Sequence, residues 1–348
     1  LMQNNDVSKL LNLWYDRNKR DLPFRLSRDP YKIWLSEVML HQTQIVTMIP
    51  YYNRWIKKYP NIKSLIKEPY DKVLKYWEGL GYYNRCLNFY NALKIIEKKH
   101  DGEVPKSYDE FRKLPGVGDY TASAVLSIAY NKNYILIDGN VKRVLSRYLG
   151  IKTLSKHNSL RIKNKLRQLM FCSNPGKFNQ SIMELGAILC RKYSPKCISC
   201  PLKYNCKAFL IDKVLEYPKV PIKRKKPVVN FIGLIIVFKN QILIRKRKSA
   251  LLQGLWEFPT IEGSSKNIIE NFIINIFDLE LRIKNRLIKK SGLIKHTFSH
   301  LIFKINFYEL RIDKLPRTRE GMKWVTALEL KDMPCTKILY KALELIKI

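Results

Sequence analysis

Four cysteines, Cys190, Cys197, Cys200 and Cys206, stand within seventeen residues with no histidine among them, and no other feature limits the fold so sharply. Spaced x6, x2 and x5, their thiolates suit one compact loop wrapped around a single inorganic centre. Four-sulfur ligation serves either a 4Fe-4S cluster or a structural zinc. Zinc sites usually arrive as two CxxC pairs, and here only Cys197 to Cys200 has that spacing, which favours the cluster. The chain holds seven cysteines in all, an odd number with four crowded together. That pattern speaks for ligation in a reducing compartment rather than for a disulfide framework.

The surroundings of this loop are basic: Arg191, Lys192, Lys196, Lys203 and Lys207 alternate with the ligands, so a rigid centre would present a phosphate-binding surface. The whole 348-residue chain carries 65 Lys and Arg against 29 Asp and Glu, a formal net charge of +36. Such an excess suits a polyanionic partner, nucleic acid first and an anionic membrane surface second, although a biased Lys-, Asn- and Ile-rich composition contributes to it. With 46% hydrophobic residues the chain is not of the disordered class, and its apolar runs, such as Phe231 to Phe238, are too short to span a bilayer. Its first residues, Leu1 to Asp6, lack a basic region followed by an apolar run, so a cytoplasmic place is expected, at the nucleoid if the source is a bacterium.

From Ser8 to about Phe209 apolar residues recur three and four apart, broken by Pro and Gly, which predicts many short helices. Ser36 to Ile49, Ser64 to Trp77 and Asn88 to Lys99 each read as one helix. Glu216 to Pro227 (EYPKVPIKRKKP) mixes Pro and Lys without periodicity and reads as a connector. The expected division is therefore 1–211, including the cysteine loop 190–206, then a linker at 212–227, then 228–348. Val228 to Phe238, Gln241 to Arg245 and Leu301 to Leu310 read as strands, making the second unit mixed α and β. Both units are basic, with 43 basic and 18 acidic groups before residue 228 and 22 and 11 after it.

A second signal is Leu114-Pro115-Gly116-Val117-Gly118 between helical stretches at Tyr108 to Lys113 and Tyr120 to Tyr130. Gly116 and Gly118 free the backbone for a tight hairpin whose amides, with the start of the following helix, would meet a phosphate oxygen. Some twenty residues on comes Ile137-Asp138-Gly139-Asn140-Val141-Lys142-Arg143.

Together these elements resemble the helix-hairpin-helix base-excision DNA glycosylases that carry an iron–sulfur cluster, and within them the adenine-removing branch. The likeness is dense from Asp21 to Cys206. It includes Leu22-Pro23-Phe24-Arg25, the run Trp34 to Leu40 (WLSEVML), Gln42-Thr43-Gln44, Gly79-Leu80-Gly81-Tyr82-Tyr83 and Phe178-Asn179-Gln180. Beyond residue 228 it thins to Gly254-Leu255-Trp256-Glu257-Phe258-Pro259 and His296-Thr297-Phe298-Ser299-His300.

The resemblance implies an all-α helix-hairpin-helix domain with one 4Fe-4S cluster, followed by a Nudix-like α/β domain, acting as a monomer. The implied substrate is duplex DNA bearing adenine opposite 8-oxoguanine or guanine, with no membrane partner. Breaking an N-glycosidic bond passes through an oxocarbenium-like state, so the site needs an acid for the leaving base and an anion facing the sugar. By resemblance Glu37 is that acid and Asp138 that anion. The apolar neighbours Trp34, Val38 and Met39 would raise the Glu37 pKa and keep it protonated, while Gly139 and Asn140 beside Asp138 leave its carboxylate facing a ligand. Asn140 joins them as a catalytic candidate. Tyr120 stands where relatives of the endonuclease III type carry a Lys that forms a Schiff base, which implies hydrolysis without an efficient strand-cleaving step.

The base must also leave the stack. The family pattern gives Gln42 and Tyr82 as residues entering the duplex, and Thr43 and Leu80 as contacts to the opposite base or its neighbours. Gly116, Gly118, Lys142, Arg143 and Lys196 would meet the backbone. Phe24, Arg25 and Gln180 would form the adenine pocket, and Phe298, Ser299 and His300 would read 8-oxoguanine. Phe24 and His41 depart from the usual Trp and Gln, which bears on affinity rather than on reaction type. A Nudix hydrolase needs a helix with a dense carboxylate box. The stretch Asn267 to Glu280 (NIIENFIINIFDLE) has none, so neither nucleotide hydrolysis nor a Mg2+ centre is expected. His296 and His300, four apart, lack a third ligand for zinc. The alternatives are a bifunctional glycosylase and lyase of the endonuclease III type, and a catalytically silent iron–sulfur DNA-binding protein.

Overall fold

A computed structural model describes residues 4–170, 174–219, 225–265, 267–277, 288–315 and 319–346. Residues 220–224 of the expected linker and 278–280 of the stretch compared with the Nudix box lie outside the described residues. The chain divides into two units: Leu1–Ile66 with Asn88–Ile222, and Lys67–Leu87 with Lys223–Ile348. The linear division at 211 and 228 and this spatial one differ chiefly in the segment 67–87.

In the first unit the helices are α1 (Asn4–Asn18), α2 (Pro30–Leu40), α3 (Ile45–Lys58) and α4 (Ile62–Ile66). After α5 (Tyr70–Trp77), which belongs to the second unit, come α6 (Asn84–Lys99, in this unit from Asn88), α7 (Tyr108–Arg112), α8 (Asp119–Tyr130), α9 (Gly139–Leu149), α10 (Lys156–Leu169), α11 (Pro175–Ile188) and α12 (Lys207–Leu210). Local chemistry sets their starts. Asp29 accepts from the Tyr31 amide and Pro30 takes the first turn of α2, Ser155 caps α10, and Asn174 with Pro175 opens α11, each satisfying an amide that the helix leaves orphaned.

The expected single helix at Ser36 to Ile49 is two. The chain turns at His41 to Gln44, with Gln42 in the left-handed region at φ 58° and the Thr43 amide closing on the Leu40 carbonyl at 3.1 Å. Apolar spacing continues across this four-residue turn, so periodicity alone could not show it. Ser64 to Trp77 is likewise broken, because Pro69 lacks an amide hydrogen and serves as the N-cap of α5.

One core of this unit joins α1, α9, α10 and α11 through Leu11, Leu145, Leu166, Phe178 and Leu185, with Cys190 and Cys200 packed against it. Elsewhere Trp34 of α2 meets Phe89 and Phe111 edge-on at 4.8 and 5.0 Å, a favourable aromatic geometry. Helices α7 and α8 flank the glycine hairpin as expected. Gly116 has φ 74°, and a Cβ there would lie 2.8 Å from Asn88 Cβ, so both handedness and space require glycine. Buried Leu114 and Val117 fasten the turn from inside.

In the second unit the strands are β1 (Val228–Phe238), β2 (Gln241–Lys246), β3 (Trp256–Glu257), β4 (Thr260–Glu262), β5 (Ile288–Thr297), β6 (Ile302–Arg311) and β7 (Met322–Thr326). They form one sheet ordered β3-β2-β1-β6-β5, with β4 pairing β1 and β7 pairing β2. The β1 and β6 strands run parallel and the remaining pairs antiparallel. Side chains alternate across β1. Ile232, Leu234 and Ile236 face α13 (Asn267–Phe277), whereas Ile235 and Val237 join the cluster that holds α14 (Lys337–Glu344), as the two-residue period of a strand requires.

Candidate active site

Glu37 lies on α2 and is 5% exposed. Burial pushes its carboxyl pKa up to about 7, the Tyr120 hydroxyl partly offsets this, the Asp138 charge adds to it and Arg25 opposes it. Tyr120, in the first turn of α8, donates its hydroxyl hydrogen to Glu37 Oε2 at 2.9 Å. Burial, then the Glu37 and Asp138 charges, raise the Tyr120 pKa well above its ordinary value, so the phenol stays a donor. The glycine hairpin therefore serves the chemistry as well, because the helix it starts aims a hydroxyl at the buried acid. His41 sits beside the same ring, 5.5 Å between centroids.

Asp138 is the N-cap of α9. Its Oδ1 accepts from the Val141 amide at 2.7 Å and its Oδ2 from Asn140 Nδ2 at 3.0 Å, a charge-assisted pair that fixes the rotamer. Asn140 Oδ1 in turn accepts from Arg143 Nη2 at 2.8 Å, and Arg143 donates onward to the carbonyls of Gly186 (2.7 Å) and Cys190 (2.9 Å). Gly186 makes this possible, because a Cβ there would fall 2.6 Å from Asn140 Cβ. Arg143 thus binds inward, while Lys142 and Lys196 are exposed.

The adenine-pocket candidates share one small cavity of about 100 Å³, lined among others by Phe24, Arg25, Glu37, Asn140, Gln180 and Glu184. Phe24 meets Tyr52 edge-on at 5.9 Å. Tyr15 donates its hydroxyl to Gln180 Oε1 at 3.1 Å, and Gln180 Nε2 donates to the Gly176 carbonyl at 3.4 Å. Arg25 Nη2 donates to Glu184 Oε2 at 2.8 Å. A larger cavity of about 620 Å³ is lined by Tyr108, Tyr120, Lys163 and Arg167 but by neither carboxylate, so size does not mark the chemistry here.

Sequence reasoning missed Glu184 and Arg147. Glu184 is 1% exposed. Burial alone would raise its pKa, yet hydrogen bonds from Arg20 and Arg25 bring it down to about 2. Arg147, 2% exposed, donates to the carbonyls of Arg191 (2.7 Å), Lys192 (3.1 Å) and Tyr217 (2.9 Å) and to Cys190 Sγ at 3.2 Å. The available signal was a charged residue inside an apolar helical stripe, Met183-Glu184-Leu185 and Val144 to Tyr148.

The four loop cysteines form no disulfide. Burial and the neighbouring sulfurs raise the pKa of Cys197 and Cys206, and that of Cys200 to about 12. Backbone amides oppose this by hydrogen bonding to sulfur, Leu202 at Cys200 and Phe209 and Ala208 at Cys206. Among the described residues no group of three or more His, Cys, Asp or Glu forms a ready single-ion site. The donor set nevertheless fits a four-sulfur centre: the sulfurs make one another costly to ionise, N–H donors reach Cys190, Cys200 and Cys206, and a cationic cluster core would relieve that cost.

The loops expected to meet DNA lie on strained or tight backbone. Gln42 is exposed and left-handed, and Tyr82 is 40% exposed at φ 49°, a conformation that costs energy for residues with a Cβ. Leu80 is 6% exposed. In the second unit Phe298 packs on His296 and Phe303 at the β5–β6 tip, and Ser299 Oγ lies 3.3 Å from His300 Nδ1, both residues exposed. Tyr82, Phe298, Ser299 and His300 line one cavity of about 480 Å³.

Comparison with known proteins agrees with this fold. Residues 35–169 match the family described as HhH-GPD superfamily base excision DNA repair protein, and residues 232–345 match the NUDIX domain. A solved thermostable thymine-DNA glycosylase is 26% identical with a TM-score of 0.55, covering 60% of this chain and 97% of that one. An endonuclease III–DNA complex, 23% identical with a TM-score of 0.52 over 61% of this chain and 99% of that one, shares the fold. Fold and site define a helix-hairpin-helix DNA N-glycosylase of base-excision repair, followed along the chain by a Nudix-like domain, with DNA as its substrate.

Adenine DNA glycosylase of Buchnera aphidicola (subspecies Baizongia pistaciae) is 37% identical over 88% of this chain and 86% of its own length. The human enzyme of that name is 30% identical over 91% of this chain and 69% of its own length. The chain belongs to the adenine DNA glycosylase family.

Proposed function

We propose that the protein hydrolyses the N-glycosidic bond of adenine mispaired with 8-oxoguanine or guanine in duplex DNA and leaves the strand uncut. The observation that carries this reading is the buried Glu37 carboxyl, poised at about 7 and bonded to Tyr120 beside the Asp138 charge. At neutral pH a large fraction of Glu37 keeps its proton and gives it to adenine N7, so the base leaves with the electron pair of the N9–C1′ bond. Asp138, fixed on both oxygens, steadies the positive charge that develops on the sugar until water adds at C1′. Tyr120 has no amine, so no imine forms and no strand-cleaving elimination follows.

Residues 1–211 would perform this step, with Gln42 and Thr43 among the groups meeting the duplex, while 228–348 would read the opposite base through Phe298, Ser299 and His300. Cys190, Cys197, Cys200 and Cys206 would hold a 4Fe-4S cluster, which when bound shapes the basic loop for phosphate contact and contributes no electron to hydrolysis.

Single-turnover adenine release from duplexes differing only in the opposite base tests the proposal. Release should be fastest opposite 8-oxoguanine, slower opposite guanine and slowest opposite thymine, with breaks only after alkali. Strand breaks without alkali at the rate of base loss would instead favour the bifunctional reading. Metal analysis of the same preparation should give about four iron atoms per chain, and stoichiometric zinc in their place would remove the cluster.

A further inference from the structure

The segment 67–87 folds with the second unit, and it contains the turn Gly79-Leu80-Gly81-Tyr82. Three of those four residues are left-handed, at φ 92°, 80° and 49° for Gly79, Gly81 and Tyr82. Bonds inside the segment close the turn: Trp77 Nε1 donates to the Gly81 carbonyl at 3.0 Å, the Gly79 amide to the Tyr83 hydroxyl at 3.1 Å, and Arg85 Nη2 to the Gly81 carbonyl at 3.1 Å. Bonds from the segment to the rest of the unit come from side chains just before the turn. Lys246 Nζ holds both oxygens of Asp71 at 2.7 Å. Lys75 Nζ donates to the Met333 carbonyl at 2.8 Å and pairs with Glu78 Oε2 at 2.6 Å. Glu78 Oε1 accepts the Cys335 amide at 3.0 Å.

The two ends of that last bond matter. Glu78 immediately precedes Gly79, and the residues Gly79 and Gly81 to Arg85 form one wall of the 480 Å³ cavity. Cys335 immediately precedes Thr336, the N-cap of α14, whose Lys337 and Ile338 line the same cavity with Phe298 to His300. One carboxylate therefore ties one wall to the start of the other, and does so with a charge-assisted bond and an ion pair at once. We infer that Glu78 is a positioning residue for recognition of the base opposite adenine. It touches no base. It holds the strained Gly79–Tyr82 turn at a fixed distance from Ser299 and His300, so that both walls close on the same nucleotide. This inference rests on the reading of the second unit as the opposite-base reader.

The test is Glu78→Ala in the full-length, cluster-loaded protein, assayed by single-turnover adenine release opposite 8-oxoguanine and opposite guanine. The expected result is a fall of about ten-fold in the preference for 8-oxoguanine, the size of one lost hydrogen bond to a charged group, with the rate opposite guanine within about two-fold. In a Ser299→Ala background the same substitution should add nothing, because both act through one pair of walls. An unchanged preference, or equal falls on both substrates, overturns the inference. If the alanine variant does not fold, Glu78→Gln keeps an acceptor for the Cys335 amide while losing the Lys75 pair, and a fall of about three-fold in preference is expected. An unchanged preference there overturns it too. A wild-type protein without any preference for 8-oxoguanine is a different result and sinks the parent reading itself.

Discussion

Glu37 and Glu184 line the same small cavity, and both are buried, yet their carboxyl pKa values are moved in opposite directions. Their sequence settings are alike, Leu35-Ser36-Glu37-Val38-Met39 and Ile182-Met183-Glu184-Leu185-Gly186, and burial pushes both carboxyls up. The partners differ. Glu37 receives a neutral phenol and feels the negative charge of Asp138, and it rests at about 7. Glu184 receives the backbone and guanidinium of Arg20 and the guanidinium of Arg25, and it rests at about 2. Burial makes ionisation costly in both places, and the choice of a neutral or a cationic donor decides which group escapes that cost. One cavity thus obtains a carboxyl that binds a proton near neutral pH and a rigid anionic wall from the same residue type.

The largest effect expected from this contrast is on turnover. Glu37→Gln keeps the shape and the Tyr120 contact but has no proton to deliver at adenine N7, so single-turnover base release should fall about 10³-fold, while stability at neutral pH should rise rather than fall because the amide has no charge to bury. Release within ten-fold of wild type would show that the acid lies elsewhere and would break the comparison.

The second effect is on stability. Glu184→Gln leaves two guanidinium groups short of a carboxylate in a buried place, which costs on the order of 3 kcal/mol, measured by urea unfolding. The two positions also impose opposite pH windows. The folded pKa of Glu184 lies below its ordinary 4.5, so its contribution is present above about 4.5 and is lost as pH falls towards 2. The folded pKa of Glu37 lies above 4.5, so its contribution is complete below about 4.5 and is lost as pH rises through 7. Glu184→Gln should therefore flatten the acid side of the stability profile and Glu37→Gln the side between about 4.5 and 7. Identical profiles for the two variants would contradict the assignment.

The same contrast shows what the sequence makes legible. Glu37 is readable because it sits in a run shared with a known family and because an acid amid Trp34, Val38 and Met39 must be either protonated or paired. Glu184 obeys the same pattern but takes its meaning from Arg20 and Arg25, more than 150 residues away, and no local spacing announces that meeting. The cysteine loop, the glycine hairpin and the period-two strand β1 declare themselves through local geometry. The turn at His41 to Gln44 does not, since helical apolar spacing runs through it. Strand β5, with a Lys-rich and half-exposed face, is hidden for the related reason that its alternation carries little apolar contrast. The grouping of 67–87 with the second unit depends on Asp71, Lys75 and Glu78 finding Lys246, Met333 and Cys335, which again is tertiary.

The smallest effect is the most discriminating for Tyr120. Its hydroxyl donates to Glu37 Oε2, and a donor of this kind favours the ionised carboxyl, so it holds the Glu37 pKa below the value burial alone would set. As the proposed acid, Glu37 must be protonated to act, so base release should decline as pH rises through about 7. Tyr120→Phe removes the donor and leaves the ring. The Glu37 pKa should then rise, and the alkaline limb of the rate profile should move up by about one unit with the low-pH plateau only modestly lower. A phenol that served the sugar instead of the acid would give the reverse pattern, a depressed plateau with the limb in place. The position of the limb and the height of the plateau therefore separate control of the acid from contact with the substrate in one experiment.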